Sequence, residues 1–383
     1  GDAKIDQNTF LLEPVSAENL VNNRNSRNFW CNVKGIGSWS LTGHSAEELS
    51  KKFTEMQDDS EVTAGFMWQK TTRESKKYQL RGEILSLIPV DKNVEIMLVT
   101  ITNTGRMAQT VTPTAAIPLY GRSADNIRDH RHVTSLLHRI ETTDTGVLVT
   151  PTLSFDERGH QVNHMTYYCV GWSGNGEKPV DFYPTAEDFV GEGGNFERPY
   201  AIVKNAEGVK AGTKIEGLEA VGGLHFSEIT LEPEEECSYL IFTGITEDIQ
   251  EIRNLSKTYT TREKVLEELE KTKAYWQEKV NVAYHTGDSD FNQFMHWVSF
   301  QPILRRIYGC SFLPHHDYGK GGRGWRDLWQ DCLALLIMNP DGVRQMLLDN
   351  FAGVRIDGSN ATIIGSKQGE FVADRNNITR VWM

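Results

Sequence analysis

Val94–Asn103 reads VEIMLVTITN, and beyond Thr104–Ala108 the chain resumes at Gln109–Leu119 as QTVTPTAAIPL. Both runs are strand-length and rich in β-branched residues, and the punctuation around them is Gly and Asn rather than a helix start. Working outward, Tyr78–Pro89 (YQLRGEILSLIP), Gly146–Phe155 (GVLVTPTLSF), Met165–Trp172 (MTYYCVGW) and Cys237–Gly244 (CSYLIFTG) read the same way. Many strands with no long helices between them predict an N-terminal antiparallel β-sandwich over residues 1–255. Ala46–Met56 is expected as one short helix. Arg122–His138 and Ser173–Pro199 are expected as long polar loops, of a length that is usually functional or disordered.

Near residue 255 the period changes. Thr260-Thr261-Arg262-Glu263 has the form of a capping box. A helix is predicted from there to about Lys279, with Val265, Leu269, Trp276 and Val280 near one face. A second helix follows Asp288, with Pro302 kinking or ending it. Trp325–Met338 and Asp341–Val354 read as a third and a fourth, separated by Pro340. The chain thus reads as multidomain β + α: a sandwich at 1–255, a helical linker at 256–285 and a helical region at 286–383. It stops at Val381-Trp382-Met383 inside a helical array, which reads as one piece of a larger or cleaved protein.

The 52 Asp and Glu against 40 Lys and Arg give a net charge of -12, which disfavours a nucleic-acid partner or an anionic membrane surface. A neutral ligand such as a sugar is compatible, and nine Trp suit stacking on one. No apolar run reaches the ~18 residues of a membrane span, and the N-terminus shows no signal peptide. A signal upstream of Gly1 stays open. Cys31, Cys169, Cys237, Cys310 and Cys332 are widely spaced, without a CxxC pair. They read as reduced thiols of a cytoplasmic protein rather than a disulfide frame or zinc site.

The densest chemistry lies at Gly319–Asp331, GKGGRGWRDLWQD. Arg and Asp together can donate to and accept from sugar hydroxyls, glycines let backbone approach a ligand, and a Trp face suits a pyranose. Asp327 and Asp331 are i,i+4 on the predicted helix. The plainer alternative is a helix N-terminus with Asp327 at the positive end of its dipole and solvated charges around it. The run is neither a P-loop nor a dinucleotide fingerprint. His315-His316-Asp317 lacks a third partner at helix spacing, so no metal site is expected. Asp129-His130-Arg131-His132, with His138, reads as a surface or interface loop, since no nucleophile elbow accompanies it.

With Gly324, Trp325, Arg326, Asp327, Gln330 and Asp331, the chain matches G-[FYW]-R-D-x-x-Q-D. It thereby resembles the inverting disaccharide and oligosaccharide phosphorylases of glycoside hydrolase family 94, the 1,2-β-oligoglucan phosphorylases among them. The order of sandwich, helical linker and helices fits that family. So does Arg380-Val381-Trp382-Met383, where Trp382 matches the Trp of a Trp-x-Asp motif.

The resemblance implies an (α/α)6 barrel of which residues 286–383 are the start. It implies attack of phosphate on the anomeric carbon while an Asp protonates the glycosidic oxygen, converting a β-glucoside or oligoglucan to α-glucose 1-phosphate. The acid would follow Met383, so the catalytic acid lies outside this chain and the isolated chain is expected to be inactive. Arg326 and Asp327 would bind hydroxyls of the sugar whose bond breaks, and Trp382 would line the same subsite. Arg323, Trp325 and Asp331 would contact or support it. No metal or organic cofactor is implied, only inorganic phosphate as co-substrate. The partners implied are the glucan, the remainder of the barrel and, as in some members, a second copy in a homodimer. Two rivals remain: the glucan-trimming domain of a cyclic β-1,2-glucan synthase, and a non-catalytic carbohydrate-binding module.

Overall fold

The computed structural model describes residues 9–12, 27–123, 131–156, 159–308, 323–360, 363–364 and 371–372. The chain divides into two compact units, Gly1–Thr272 and Lys273–Met383.

The first unit is an antiparallel sandwich. Its larger sheet has nine strands. From edge to edge these are Lys214–Glu216, Arg139–Thr142, Gly146–Val149, Thr166–Ser173, Glu236–Thr246, Val94–Asn103, Leu80–Leu87, Trp68–Ser75 and Asp59–Gly65. The smaller sheet runs Asp181–Thr185, Ala220–His225, Gln109–Leu119, Asn28–Val33 and Gly37–Ser40, with Ile229–Leu231 also paired to Gln109–Leu119. Val94–Asn103 and Gln109–Leu119 therefore belong to opposite sheets, and the turn between them crosses the sandwich. Asn103 fixes that corner: its side-chain amide donates to Met107 O and Leu231 O, both at 2.8 Å, and its Oδ1 accepts from Gly105 N at 2.9 Å.

Alternation along the strands sends side chains to two different cores. Val99, Ile101, Tyr167, Cys169, Val147 and Val149 point inward to meet Phe29, Cys31, Val111, Ala115, Ile117 and Leu224 of the smaller sheet. Leu98, Tyr168, Val170, Trp172, Leu240 and Phe242 point outward and are covered by Ile252, Leu255, Tyr259, Val265 and Leu269. Thr166–Ser173 is consequently buried at every residue, which is why it reads as a continuous apolar run. The sheets approach each other tightly at Gly222: a Cβ there would lie 2.3 Å from Cys169 Cβ. Only glycine fits at that point. Helices Ala186–Val190 and Tyr200–Lys204 cover the smaller sheet, burying Phe189, Ala201 and Ile202 against Trp30, Tyr183 and Val221.

Several expectations change. Ser173–Pro199 is not a loop: it holds the fully buried strand Asp181–Thr185 and the helix Ala186–Val190. Pro184 hides the strand in the sequence. The sheet tolerates it because this is an edge strand whose register shifts between Tyr183 and Thr185. Arg122–His138 contains the helix Arg131–Leu136. Gly146–Phe155 splits into Gly146–Val149 and Leu153–Asp156. The helical character starts earlier than residue 255, with Ile249–Thr258 capped by Asp248, whose Oδ1 accepts from Gln250 N at 2.8 Å. Arg262–Lys279 forms as expected, with Val265, Leu269, Trp276 and Val280 all buried. Pro302 does not end its helix, which runs Ser289–Tyr308. Among the described cysteines Cys31, Cys169, Cys237 and Cys332 are free thiols.

Candidate functional site

In the second unit, Trp325–Met338 forms as one helix, packed against Ser289–Tyr308 and Val343–Phe351. It starts directly from a strand. Arg323–Gly324 pairs antiparallel with Ile363–Ile364, which pairs in turn with Phe371–Val372. The register sets Arg323 opposite Ile364 and Gly324 opposite Ile363. Arg323 thus stands on a strand, and Trp325, Arg326 and Asp327 occupy the first turn of the helix. The small sheet pins the backbone just before the turn, so the Arg-Asp pair starts from a fixed position rather than a free loop.

Asp331 follows Asp327 by one helical turn. It is 5% exposed and shares the buried side of the helix with Cys332, Leu335 and Met338. Burial of a carboxylate is costly unless it is partnered, and Asp331 has partners of its own. Trp329 meets Phe351 edge-on at 4.8 Å. At the far end Asn281 Nδ2 donates to Met338 O at 3.1 Å, satisfying a carbonyl of the last turn. The strand-to-helix junction therefore brings Arg323, Trp325, Arg326 and Asp327 into one short stretch, with Asp331 one turn behind. Trp382, Lys320 and His315-His316-Asp317 lie outside the described residues.

His138 belongs to the interior of the sandwich. Its ring nitrogens lie 3.1 Å from Leu218 O and from Tyr120 O. Burial pushes its pKa down, against the carbonyls of Leu218, Tyr120 and Gly121 that pull it up. Asp129 and His130 lie outside the described residues. A buried pair that sequence reading misses is Asp181–His225, with His225 Nδ1 2.7 Å from Asp181 Oδ1 and the Tyr183 hydroxyl 3.4 Å from the same nitrogen. These residues are far apart in sequence and meet only because Asp181 pairs with His225 across neighbouring strands. Among the described residues no group of three His, Cys, Asp or Glu could hold a metal ion. No described helix is long and apolar enough to cross a membrane.

Comparison with known proteins places these features in context. Residues 13–262, more than half of the chain, match the family model described as the glycosyl hydrolase 94 supersandwich domain. A curated relative, the cyclic beta-(1,2)-glucan synthase NdvB of Rhizobium meliloti (strain 1021), is 26% identical over 194 residues, covering 50% of this chain and 6% of that protein. Among solved structures, a bacterial glucoamylase complexed with acarbose is 10% identical, with a TM-score of 0.48, over 88% of this chain and 45% of its own. A protein assigned as a kojibiose phosphorylase from the human microbiome is also 10% identical, with a TM-score of 0.48, over 87% of this chain and 40% of its own. The chain thus spans only a small part of the curated relative and less than half of either structure.

Proposed function

Because the chain belongs to the glycosyl hydrolase 94 family through its supersandwich domain, we propose that the protein catalyses reversible, inverting phosphorolysis of a β-linked glucoside, with β-1,2-oligoglucans as the favoured substrate class. The family match carries the reading, and the G-W-R-D-x-x-Q-D run at a strand-to-helix junction supports it. Similarity to a protein named for β-(1,2)-glucan synthesis favours that linkage.

In this reading residues 1–255 are the sandwich, 256–285 a helical linker, and 286–383 the opening of an (α/α)6 barrel. Arg326 donates to, and Asp327 accepts from, hydroxyls of the sugar whose bond breaks. Trp382 lines the same subsite, and Arg323, Trp325 and Asp331 support it. Phosphate attacks the anomeric carbon as a carboxylic acid protonates the departing oxygen, so inversion needs no base to activate water. Neither metal nor organic cofactor takes part. In this reading the protein works in the cytoplasm and pairs as a homodimer.

The test is glucose 1-phosphate release from short β-1,2-oligoglucans plus phosphate, assayed on the protein at its natural length. Phosphate-dependent release is expected, and Arg326→Ala or Asp327→Asn lowers kcat/KM about 10- to 100-fold, the worth of one or two hydrogen bonds to charged groups. Glucan shortening without phosphate would replace this reading with a glucan-trimming one, which the similarity to the cyclic glucan synthase favours as the alternative. Glucan binding with no product would leave a binding module. The reading places no proton donor within Gly1–Met383; glucose 1-phosphate made by the 383-residue chain alone would overturn that placement.

A further inference from the structure

The helical layer over the larger sheet does not cover all of it. Ile249–Thr258 lies on the outward residues of the central strands, with Leu148 of Gly146–Val149 only partly buried at its margin. Between the helix, the strands Arg139–Thr142 and Gly146–Val149, and the turns at 143–145 and 176–178 lies a cleft of about 560 Å³. That is within the size range of small-molecule sites. Every residue lining it belongs to the first unit.

Alternation explains the lining. Ile140, Thr142, Val147 and Val149 point into the sandwich, so Glu141 and Leu148 point into the cleft. Leu148, Trp172 and Ile252 form an apolar floor. Trp172 is fixed there: its Nε1 donates to Tyr259 O at 3.0 Å and its ring stacks on Phe242 at 4.7 Å. The rim is polar and balanced. Asp144 is ion-paired with Lys178 on one side. Arg253 stands on the helix opposite and makes no ion pair with a described residue. The lining carries two acids, Glu141 and Asp144, and two bases, Lys178 and Arg253, with Glu141 also ion-paired to Lys214 of the neighbouring edge strand at 3.8 Å, so no one sign of charge dominates the cleft in a chain of net charge -12.

That combination selects a ligand chemistry. An anion would meet Glu141 and Asp144, and a cation would meet Lys178 and Arg253. A purely apolar ligand would strip water from four charges, at several kcal/mol for each left unpaired. A pyranose offers C–H faces to an apolar floor and hydroxyls that both donate to carboxylates and accept from guanidinium and ammonium groups. We infer that this cleft on the sandwich binds a neutral oligosaccharide, a segment of β-glucan on the functional reading above, with Arg253 and the Asp144–Lys178 pair gripping hydroxyls over the Leu148–Trp172 floor.

The experiment is calorimetric titration of the 383-residue chain with a linear β-1,2-glucan pentasaccharide and, in parallel, with maltopentaose. Ser256→Trp, at an exposed helix position lining the cleft, fills it; Arg253→Ala removes the free guanidinium. Thermal melts confirm that both variants fold. Binding of the β-glucan by the parent chain is expected, weakened about tenfold by Arg253→Ala and abolished by Ser256→Trp. Binding that neither variant changes would overturn the cleft and leave the glucan reading intact. Maltopentaose bound and blocked by Ser256→Trp, with no β-glucan bound, would keep the cleft as a glycan site and count against the β-glucan reading. No heat with either sugar would overturn the cleft, and the glucose 1-phosphate assay would judge the functional reading separately.

Discussion

Glu47 lies under three donors: Lys51 Nζ, Lys77 Nζ and the Tyr78 hydroxyl each approach its carboxylate to 2.8 Å. Burial alone would raise its pKa, but those hydrogen bonds outweigh it and hold the carboxyl at about 2, below its ordinary 4.5. Because the folded value is depressed, this contribution to stability is complete above about pH 4.5 and is lost as pH falls towards 2. Glu47→Gln should therefore lower Tm at pH 6 and flatten its decline between pH 4.5 and 2; an unchanged pH profile would show that the three donors are water-screened. The residue scale is also where the sequence says least. Asp327 and Asp331 could be paired by spacing alone, because one helix carries both. Asp181 and His225 could not, because their meeting depends on a strand register that no local pattern encodes.

Among elements, those with an unbroken pattern were readable: Val94–Asn103, Gln109–Leu119, Arg262–Lys279 and Trp325–Met338 form as the sequence implies. Asp181–Thr185 was not, since Pro184 is a loop signal that an edge strand overrides. Ile249–Thr258 carries Ile249, Ile252 and Leu255 at helical spacing behind its Asp248 cap, so its signal is present in the sequence but falls on the strand side of the boundary read near residue 255. The approach of Ala220–His225 to Thr166–Ser173 gives the element-scale prediction. Gly222→Val must push Cys169 and its strand away, costing about 1–3 kcal/mol as overpacking. Thermal unfolding should show a Tm lower by several degrees with the smaller sheet still formed. An unaltered Tm would mean that the sheets yield freely at that point.

At the scale of the whole molecule, the two units differ in how they treat apolar surface. The sandwich packs the inner face of its larger sheet against the smaller sheet and helices over part of the outer face, and its most exposed large apolar residues, Phe53, Met56 and Met107, sit in turns, whereas the second unit exposes Phe294 (62%), Leu333 (68%) and Ile337 (75%) along its helices. Apolar exposure on that scale marks a surface meant to be covered. We expect residues 1–272 alone to unfold cooperatively and bind little hydrophobic dye, and the 383-residue chain to bind several-fold more. Equal dye binding would place the exposed surface on the sandwich instead. The order of layers was legible in the run of strands followed by helices; which strand lies beside which was not, because neighbours in the sheet are often distant in sequence.

That distance has a cost in time. Val94–Asn103 is bonded on one side to Glu236–Thr246. At ordinary synthesis rates the later strand leaves the ribosome about 7–30 s after the earlier one, some 140 residues on. For that interval a ten-residue apolar strand waits on the nascent chain with one flank unclaimed. Shielding of that strand during translation should therefore matter to the yield of this protein in a cell, alongside the stability of the finished sandwich.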